Sequence, residues 1–317
     1  MNKIQPLKCF NLSGWTQVLL SGPDCKSFLQ SFCTNEISKL CSGDVCEAFV
    51  PDIKGRILAH VIVLASDDSL RLISGPGAGE VLVPHLTKYL LGLNAEVNDA
   101  TATSRLLVVV GENGLQAIDE ESDLDTNRWT TLTSSDDQEN SAQVASLDVL
   151  AEPSIWIAGG VEQVEEIESR LQARGVSEGA DEEFERLRIT AGFPLVGRDL
   201  SDANIAQEAA RTDRAISFTK GCYLGQEPIT RLDAMGHTNK ELRGLLIENE
   251  DTPVDSAVLA EEKEVGRISS VASLGDGRSV ALALIRTKFA APGTQLAVTT
   301  KDGTFPAKVY WPNLEQS

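Results

Sequence analysis

From about residue 240 onward the chain is a series of short β-forming runs, and this texture restricts its C-terminal part more than any other feature does. The runs are Leu242 to Ile247, Val265 to Val271, Val280 to Ile285, Gln295 to Thr299 and Ala307 to Trp311. Asp276-Gly277, Pro292-Gly293 and Asp302-Gly303 stand between them as turn signals. A pair of such strands cannot bury a core, whereas several in series can close on themselves. The spacing predicts a small, separate antiparallel β-barrel over 241–317, acting as a structural cap on what precedes it.

The first 240 residues read differently. Pro23 follows Gly22 at a helix start, with Phe28, Leu29 and Phe32 on one face. Ile57 to Ala65 is an apolar run of strand length, broken only by His60, and Leu70 to Ile73 pairs with it across Ser66-Asp67-Asp68. Val81 to Leu91 reads as a helix stopped near Gly92, with Pro84 obscuring its start. Leu106 to Val110 and Ile155 to Ile157 are further strands. Val161, Val164, Ile167 and Leu171 mark an amphipathic helix ended by Arg174-Gly175. The acidic, Ser/Thr-rich stretch from Glu112 to Gln143 is expected to be exposed and loosely ordered. The fold class is α+β, with domains at 1–240 and 241–317. No internal repeat, P-loop or G-x-G-x-x-G fingerprint is present.

Composition sets the outer limits. An apolar content of 42% and a charged content of 24% are ordinary for a globular protein. No run approaches the ~18 apolar residues of a membrane span, and Met1 to Pro6 resembles neither a signal nor a transit peptide. A cytoplasmic location without membrane association follows as an expectation. The net charge of −19, from 28 basic and 47 acidic residues, argues against direct nucleic-acid binding through the bulk field. Arg198, Arg211, Arg214, Lys220 and Arg231 can still form a local basic pocket, and at least half of them are expected to pair with nearby acids.

Five of the six cysteines, Cys9, Cys25, Cys33, Cys41 and Cys46, fall in the first fifty residues. They lack C-x-x-C spacing, and Cys41-x₄-Cys46 has no third ligand nearby, so no metal site is assigned. They are expected to be mostly buried, reduced thiols. Cys222 has other surroundings: Lys220-Gly221-Cys222-Tyr223-Leu224-Gly225-Gln226-Glu227. Gly225 can cap a helix whose first turn is Gln226, Glu227 and Pro228. Cys222 then lies ahead of a helix N-terminus, near the charge of Lys220, and both effects favour the thiolate. Both glycines are expected to serve φ > 0 or close backbone approach.

This octapeptide resembles the K-G-C-Y-x-G-Q-E signature of YgfZ-type folate-binding proteins, relatives of the glycine-cleavage T-protein. Arg186 to Ile189, Gly192 to Arg198, Gly22-Pro23-Asp24, Phe28 to Gln30, Thr34-Asn35 and Lys54-Gly55-Arg56-Ile57-Leu58 resemble further family blocks in the same order. Arg231, Gly236 and Leu242 to Leu246 match the motif's continuation. The resemblance implies a two-lobed folate-binding region followed by the barrel, with tetrahydrofolate or a derivative as cofactor. It implies Glu208 at the pterin-binding position, because a carboxylate accepts two parallel N–H bonds. Tyr223, Gln226 and Arg231 join it as cofactor-binding candidates, with Cys222 as the reactive thiol and Lys220 beside it. Where T-protein relatives carry paired aspartates, this chain has Ala59 and His60, which argues against aminomethyl transfer.

Three functions follow from the resemblance. The first is a folate-binding accessory protein for iron–sulfur protein assembly or repair, linked to tRNA modification, with iron–sulfur proteins or their assembly factors as partners. The second is a folate-dependent one-carbon transferase or demethylase, which needs a carboxylate or histidine facing the folate methylene position, and only His60 or Asp52 is a candidate. The third is a non-catalytic interaction scaffold.

Overall fold

The computed structural model describes residues 6–120, 122–133, 141–236 and 238–310. Its elements in chain order are β1 (Lys8–Asn11), β2 (Thr16–Ser21), α1 (Cys25–Gln30), β3 (Val45–Pro51), β4 (Ile57–Ala65), β5 (Ser69–Ser74), α2 (Gly79–Thr87), β6 (Glu96–Asp99), β7 (Ser104–Val110) and α3 (Gly114–Ile118). Next come β8 (Arg128–Thr133), β9 (Ser141–Leu147), β10 (Ser154–Gly160), α4 (Val161–Ala173), β11 (Ser177–Glu178), α5 (Asp181–Thr190), α6 (Thr212–Ala215) and α7 (Gln226–Met235). The last six strands are β12 (Lys240–Ile247), β13 (Ala257–Ala260), β14 (Lys263–Ser273), β15 (Ser279–Arg286), β16 (Gln295–Thr300) and β17 (Gly303–Val309).

The chain divides into two compact units that alternate along the sequence. One holds Met1–Val50, Ala59–Asp181 and Arg214–Tyr223; the other holds Pro51–Leu58, Glu182–Asp213 and Leu224–Ser317. The first is built on two sheets, ordered β3-β4-β5-β2-β6 and β11-β1-β7-β10-β9-β8. Side chains alternate across β2, β4 and β5, as a pleated strand requires. Val18, Leu20, Val61, Val63, Leu70 and Leu72 share one core with Phe28 and Leu29 of α1 and Leu82 and Leu86 of α2. The second sheet sets Leu107, Val109, Val144 and Ile157 against Val164, Ile167 and Leu171 of α4.

The stretch expected to be loose between Glu112 and Gln143 contains ordered elements, α3 and β8. Leu115 and Ile118 are buried, and the buried Trp129 donates its indole N–H to Ala65 O at 2.9 Å. A few apolar anchors, too sparse to show a period, order an otherwise polar stretch. Residues 121 and 134–140 lie outside those described. Helix α2 starts at Gly79, ahead of the expected Val81, and carries Pro84 within it.

The second unit contains a closed barrel ordered β12-β15-β14-β13-β16-β17. It has six strands, one more than expected; β13 was hidden. The β13–β14 hairpin turns through Glu261 and Glu262 at φ +49° and +66°. That left-handed pair is normally signalled by Asn-Gly or Asp-Gly. The last strand is Gly303–Val309 rather than Ala307 to Trp311, and Trp311 lies outside the described residues.

Arg188 ties α5 to the barrel within this unit. Fully buried, it donates to Phe193 O at 3.0 Å, Asp199 Oδ2 at 2.8 Å, both oxygens of Glu185 at 3.0 and 2.6 Å, and Ser270 Oγ at 2.9 Å. Asp199 also accepts from Leu195 N–H, Ser269 and Ser270. Consecutive serines on a regular strand point to opposite faces. The register shift between Ile268 and Ser270 lets both reach one carboxylate.

Candidate functional site

Three of the sequence blocks meet inside the second unit. Asp52 to Arg56 forms a tight hairpin: Gly55 N–H returns to Asp52 O at 3.0 Å, and Asp52 Oδ1 accepts from Lys54 and Arg56 N–H at 2.8 and 2.9 Å. Asp52 is therefore a turn residue whose carboxylate is committed to backbone donors. Gly225 caps α7 at φ +77°, as the sequence predicts. The two glycine turns pack on each other. A Cβ on Gly225 would run into Asp52 O and come within 3.0 Å of Gly55 N; one on Gly55 would lie 2.8 Å from Pro228 and 3.1 Å from Gly225 O. Gly221, by contrast, needs no glycine: its φ is not left-handed, and a Cβ there would meet nothing within 4 Å.

Glu208 sits on a short 3₁₀ turn, Ala206–Ala209, held beside this hairpin by an Arg56–Ile205 bridge and by Ile57 N–H to Asn204 O at 2.9 Å. Its Oε2 accepts from Asn204 Nδ2 at 2.8 Å and from Ile205 N–H at 3.3 Å, and Oε1 has no partner among the described residues. Neighbouring Gln207 donates Nε2 to Ile229 O of α7 at 2.5 Å, leaving its buried Oε1 without a partner. Two adjacent acceptors on one rigid turn thus have unused capacity. Glu208 is a candidate from the sequence, whereas Gln207 becomes one only through its contact with Ile229 of α7. Gln226 is the first residue of α7, and Arg231 is exposed on the same helix.

Lys220 belongs to the first unit, and its role there differs from the expected one. Its ammonium donates to Gln30 O, Cys33 O and Asn35 O at 2.7, 2.8 and 2.6 Å. Three donors meeting three carbonyls use up the group's hydrogen-bonding capacity. The lysine clamps the 30–35 loop and does not serve as a free charge for the Cys222 thiolate. The same loop holds Ala215 O through Thr34 Oγ1 at 2.6 Å and Arg214 O through Asn35 Nδ2 at 2.9 Å. This is the physical use of the Thr34-Asn35 block. The thiol beside Lys220 is Cys33, at 3.9 Å. Tyr223 lies under the ammonium, 4.9 Å from ring centroid to Nζ, and is buried with its hydroxyl unpartnered; burial pushes its pKa up to about 12. Cys222 between them is exposed.

At the position where the resemblance would put paired aspartates, Ala59 is core and His60 is 3% exposed. His60 Nε2 lies 3.0 Å from Glu47 Oε2, and its ring packs on Phe49 at 4.9 Å. Glu47 in turn meets Arg214 Nε at 2.8 Å. His60 is thus a packed strand residue, joined to the buried Glu47, which in turn pairs with the exposed Arg214. Of the other basic residues, Arg198 pairs with Glu185 at 2.5 Å and Arg211 is buried over Phe193.

Cys25 and Cys33 are buried and Cys9 and Cys46 half-buried, whereas Cys41 is exposed. Burial pushes Cys9 up to about 12 and raises Cys25, Cys33 and Cys46 as well. Since the thiolate is the reactive form, a disulfide reagent at pH 8 is expected to titrate two thiols rapidly in the native chain, falling to one in Cys222→Ser. A third fast thiol would contradict this burial pattern. Among the described residues, no three His, Cys, Asp or Glu side chains are grouped to hold a metal, and no helix is long and apolar enough to cross a membrane.

Residues 5–220 match the family model described as the GCVT N-terminal domain, and residues 240–313 match the glycine cleavage T-protein C-terminal barrel domain. The tRNA-modifying protein YgfZ of Aliivibrio fischeri is 23% identical over 309 residues, covering 90% of this chain and 88% of that protein. The protein of the same name from Photorhabdus laumondii is 27% identical over 236 residues, 73% of this chain and 68% of the relative. Among solved structures, the glycine cleavage system aminomethyltransferase T from Bartonella henselae superposes with a TM-score of 0.86 over 98% of this chain and 86% of its own, at 16% identity. At that identity the likeness establishes the fold.

Proposed function

This chain belongs to the GCVT N-terminal domain family and carries the T-protein barrel behind it, and on that premise we propose that it is a cytoplasmic, YgfZ-type folate-binding accessory protein that supports iron–sulfur protein assembly or repair and, through it, tRNA modification. The observation that carries the folate reading is the pair of unused acceptors on the 206–209 turn: Glu208 Oε1 and the buried, unpartnered Gln207 Oε1. A reduced pterin presents an edge of N–H donors, so a carboxylate and an amide oxygen on consecutive residues of one turn suit it chemically. The Gly55–Gly225 packing keeps the turn rigid, so little ordering cost falls on binding. When bound, tetrahydrofolate supplies a one-carbon carrier; Glu208 and Gln207 would hold its pterin.

One-carbon transfer is the weaker reading. Ala59 carries no acid, His60 is committed to Glu47, and Asp52 is committed to its own turn. The exposed Cys222 is the remaining reactive group, and it suits partner proteins or their clusters better than a buried reaction. The relatives named for tRNA modification support the cellular role.

Calorimetric titration with tetrahydrofolate tests the site. Wild type is expected to bind in the micromolar range. Glu208→Ala is expected to lose about tenfold to a hundredfold, as for one or two hydrogen bonds to a charged group. No binding by wild type would sink the folate reading. Equal support of tRNA modification in cells by Cys222→Ala and wild type would favour the scaffold.

A further inference from the structure

Between the two sheets of the first unit lies a cation that no carboxylate meets. On β2, β4 and β5, the face carrying Gln17, Ile62, Leu64, Arg71 and Ile73 is opposite the α1/α2 core. Ser104 of β7 and Gln143 of β9 alternate with the side chains that pack on α4, so they too point away from that helix. These four polar side chains meet. Arg71 donates from Nε to Gln143 Oε1 at 2.5 Å and from Nη1 to Gln17 Oε1 at 2.8 Å and Ser104 Oγ at 3.5 Å.

All three acceptors are neutral. Arg71 has no ion pair among the described residues, and its Nη2 has no acceptor there. Gln17 is completely buried, and its Nε2 is without a partner. Turning that amide over would only set an N–H against the guanidinium. Ser104 accepts from Arg71, and its own hydroxyl proton has no acceptor among the described residues. Burial without a compensating anion brings the Arg71 pKa down to about 10, so the side chain is still charged at neutral pH. Unpaired buried charge and unmet buried donors are both costly. Here a half-buried cation without a carboxylate touches a fully buried amide whose N–H donors have no acceptor, and every unmet group is a donor.

We propose that this cluster is a binding site for a small inorganic anion of halide size, held by Arg71, Gln17 Nε2 and the Ser104 hydroxyl. A single monovalent anion satisfies the surplus donors and cancels the charge, which a water molecule does not. Arg71 is only partly buried, which gives an ion from solvent a way in. The chain's acidity works against general anion uptake, so binding rests on this local donor set.

The test uses the full chain. Crystals grown in sodium bromide are expected to show an anomalous peak within hydrogen-bond distance of Arg71 and Gln17. At equal ionic strength, bromide is expected to raise the unfolding temperature above that in fluoride by about 2–4 °C. The generic ion effect runs the other way, since strongly hydrated ions favour burial. The bromide increment is expected to vanish in Arg71→Gln. A water in place of the peak overturns the proposal, as do equal increments in both proteins. A bromide peak with no increment in solution means an adventitious ion only and overturns it too. Should Arg71→Gln fail to fold, the anomalous map and the wild-type increment decide together.

Discussion

Arg188→Met is expected to lower stability by about 3–5 kcal/mol, because it leaves the Asp199 carboxylate buried with no cation beside it. For a chain of this size, that corresponds to a fall in unfolding temperature of roughly 10 °C. The guanidinium's bonds to Phe193 O and Ser270 are lost as well, so α5 and the 193–199 loop lose their tie to β14. The double variant Arg188→Met/Asp199→Leu is expected to recover most of the loss, since an apolar pair can replace a buried ion pair at little cost. Thermal unfolding of the two variants and wild type checks this. A single variant within 1 kcal/mol of wild type would mean that the network does not secure the loop.

The two glycines flanking Cys222 are expected to part company. Gly225→Ala puts a side chain into a left-handed backbone, costing about 1–2 kcal/mol, and drives its Cβ against the backbone of Asp52 and Gly55. Backbone atoms cannot swing aside, so the total is expected to exceed about 3 kcal/mol. The 206–209 turn rests on the same hairpin, so tetrahydrofolate affinity is expected to fall with it. Gly221→Ala meets open space and is expected to stay within about 0.5 kcal/mol of wild type. Denaturant unfolding of both variants, with tetrahydrofolate titration of those that fold, is the check. Equal effects would show that the Gly225–Gly55 contact does not hold the site.

Much of the architecture was legible because it rests on local signals. The apolar run of β4, its pairing with β5, the α4 stripe ended at Gly175, and Gly225 ahead of α7 are all readable within a few residues. The barrel was legible for the same reason, except for β13, whose Glu261-Glu262 turn carries none of the usual residues. The candidate site was legible in part. Glu208 is a candidate by resemblance, whereas Gln207 is an ordinary polar residue until Ile229 of α7 is seen taking its amide.

The sequence by itself determined the β4–β5 pair, the α4 helix, the barrel, the helix cap at Gly225 and the absence of acids at Ala59 and His60, since each depends on residue type and near neighbours. Only the tertiary structure decided the partners of the charged groups. Lys220, two residues from Cys222 in sequence, gives its ammonium to carbonyls almost two hundred residues away. His60 goes to Glu47 across adjacent strands, and Arg71 is left without a carboxylate. A buried charge goes to whichever donor or acceptor the packing brings within 3 Å, because leaving it unmet costs more than any local preference supplies.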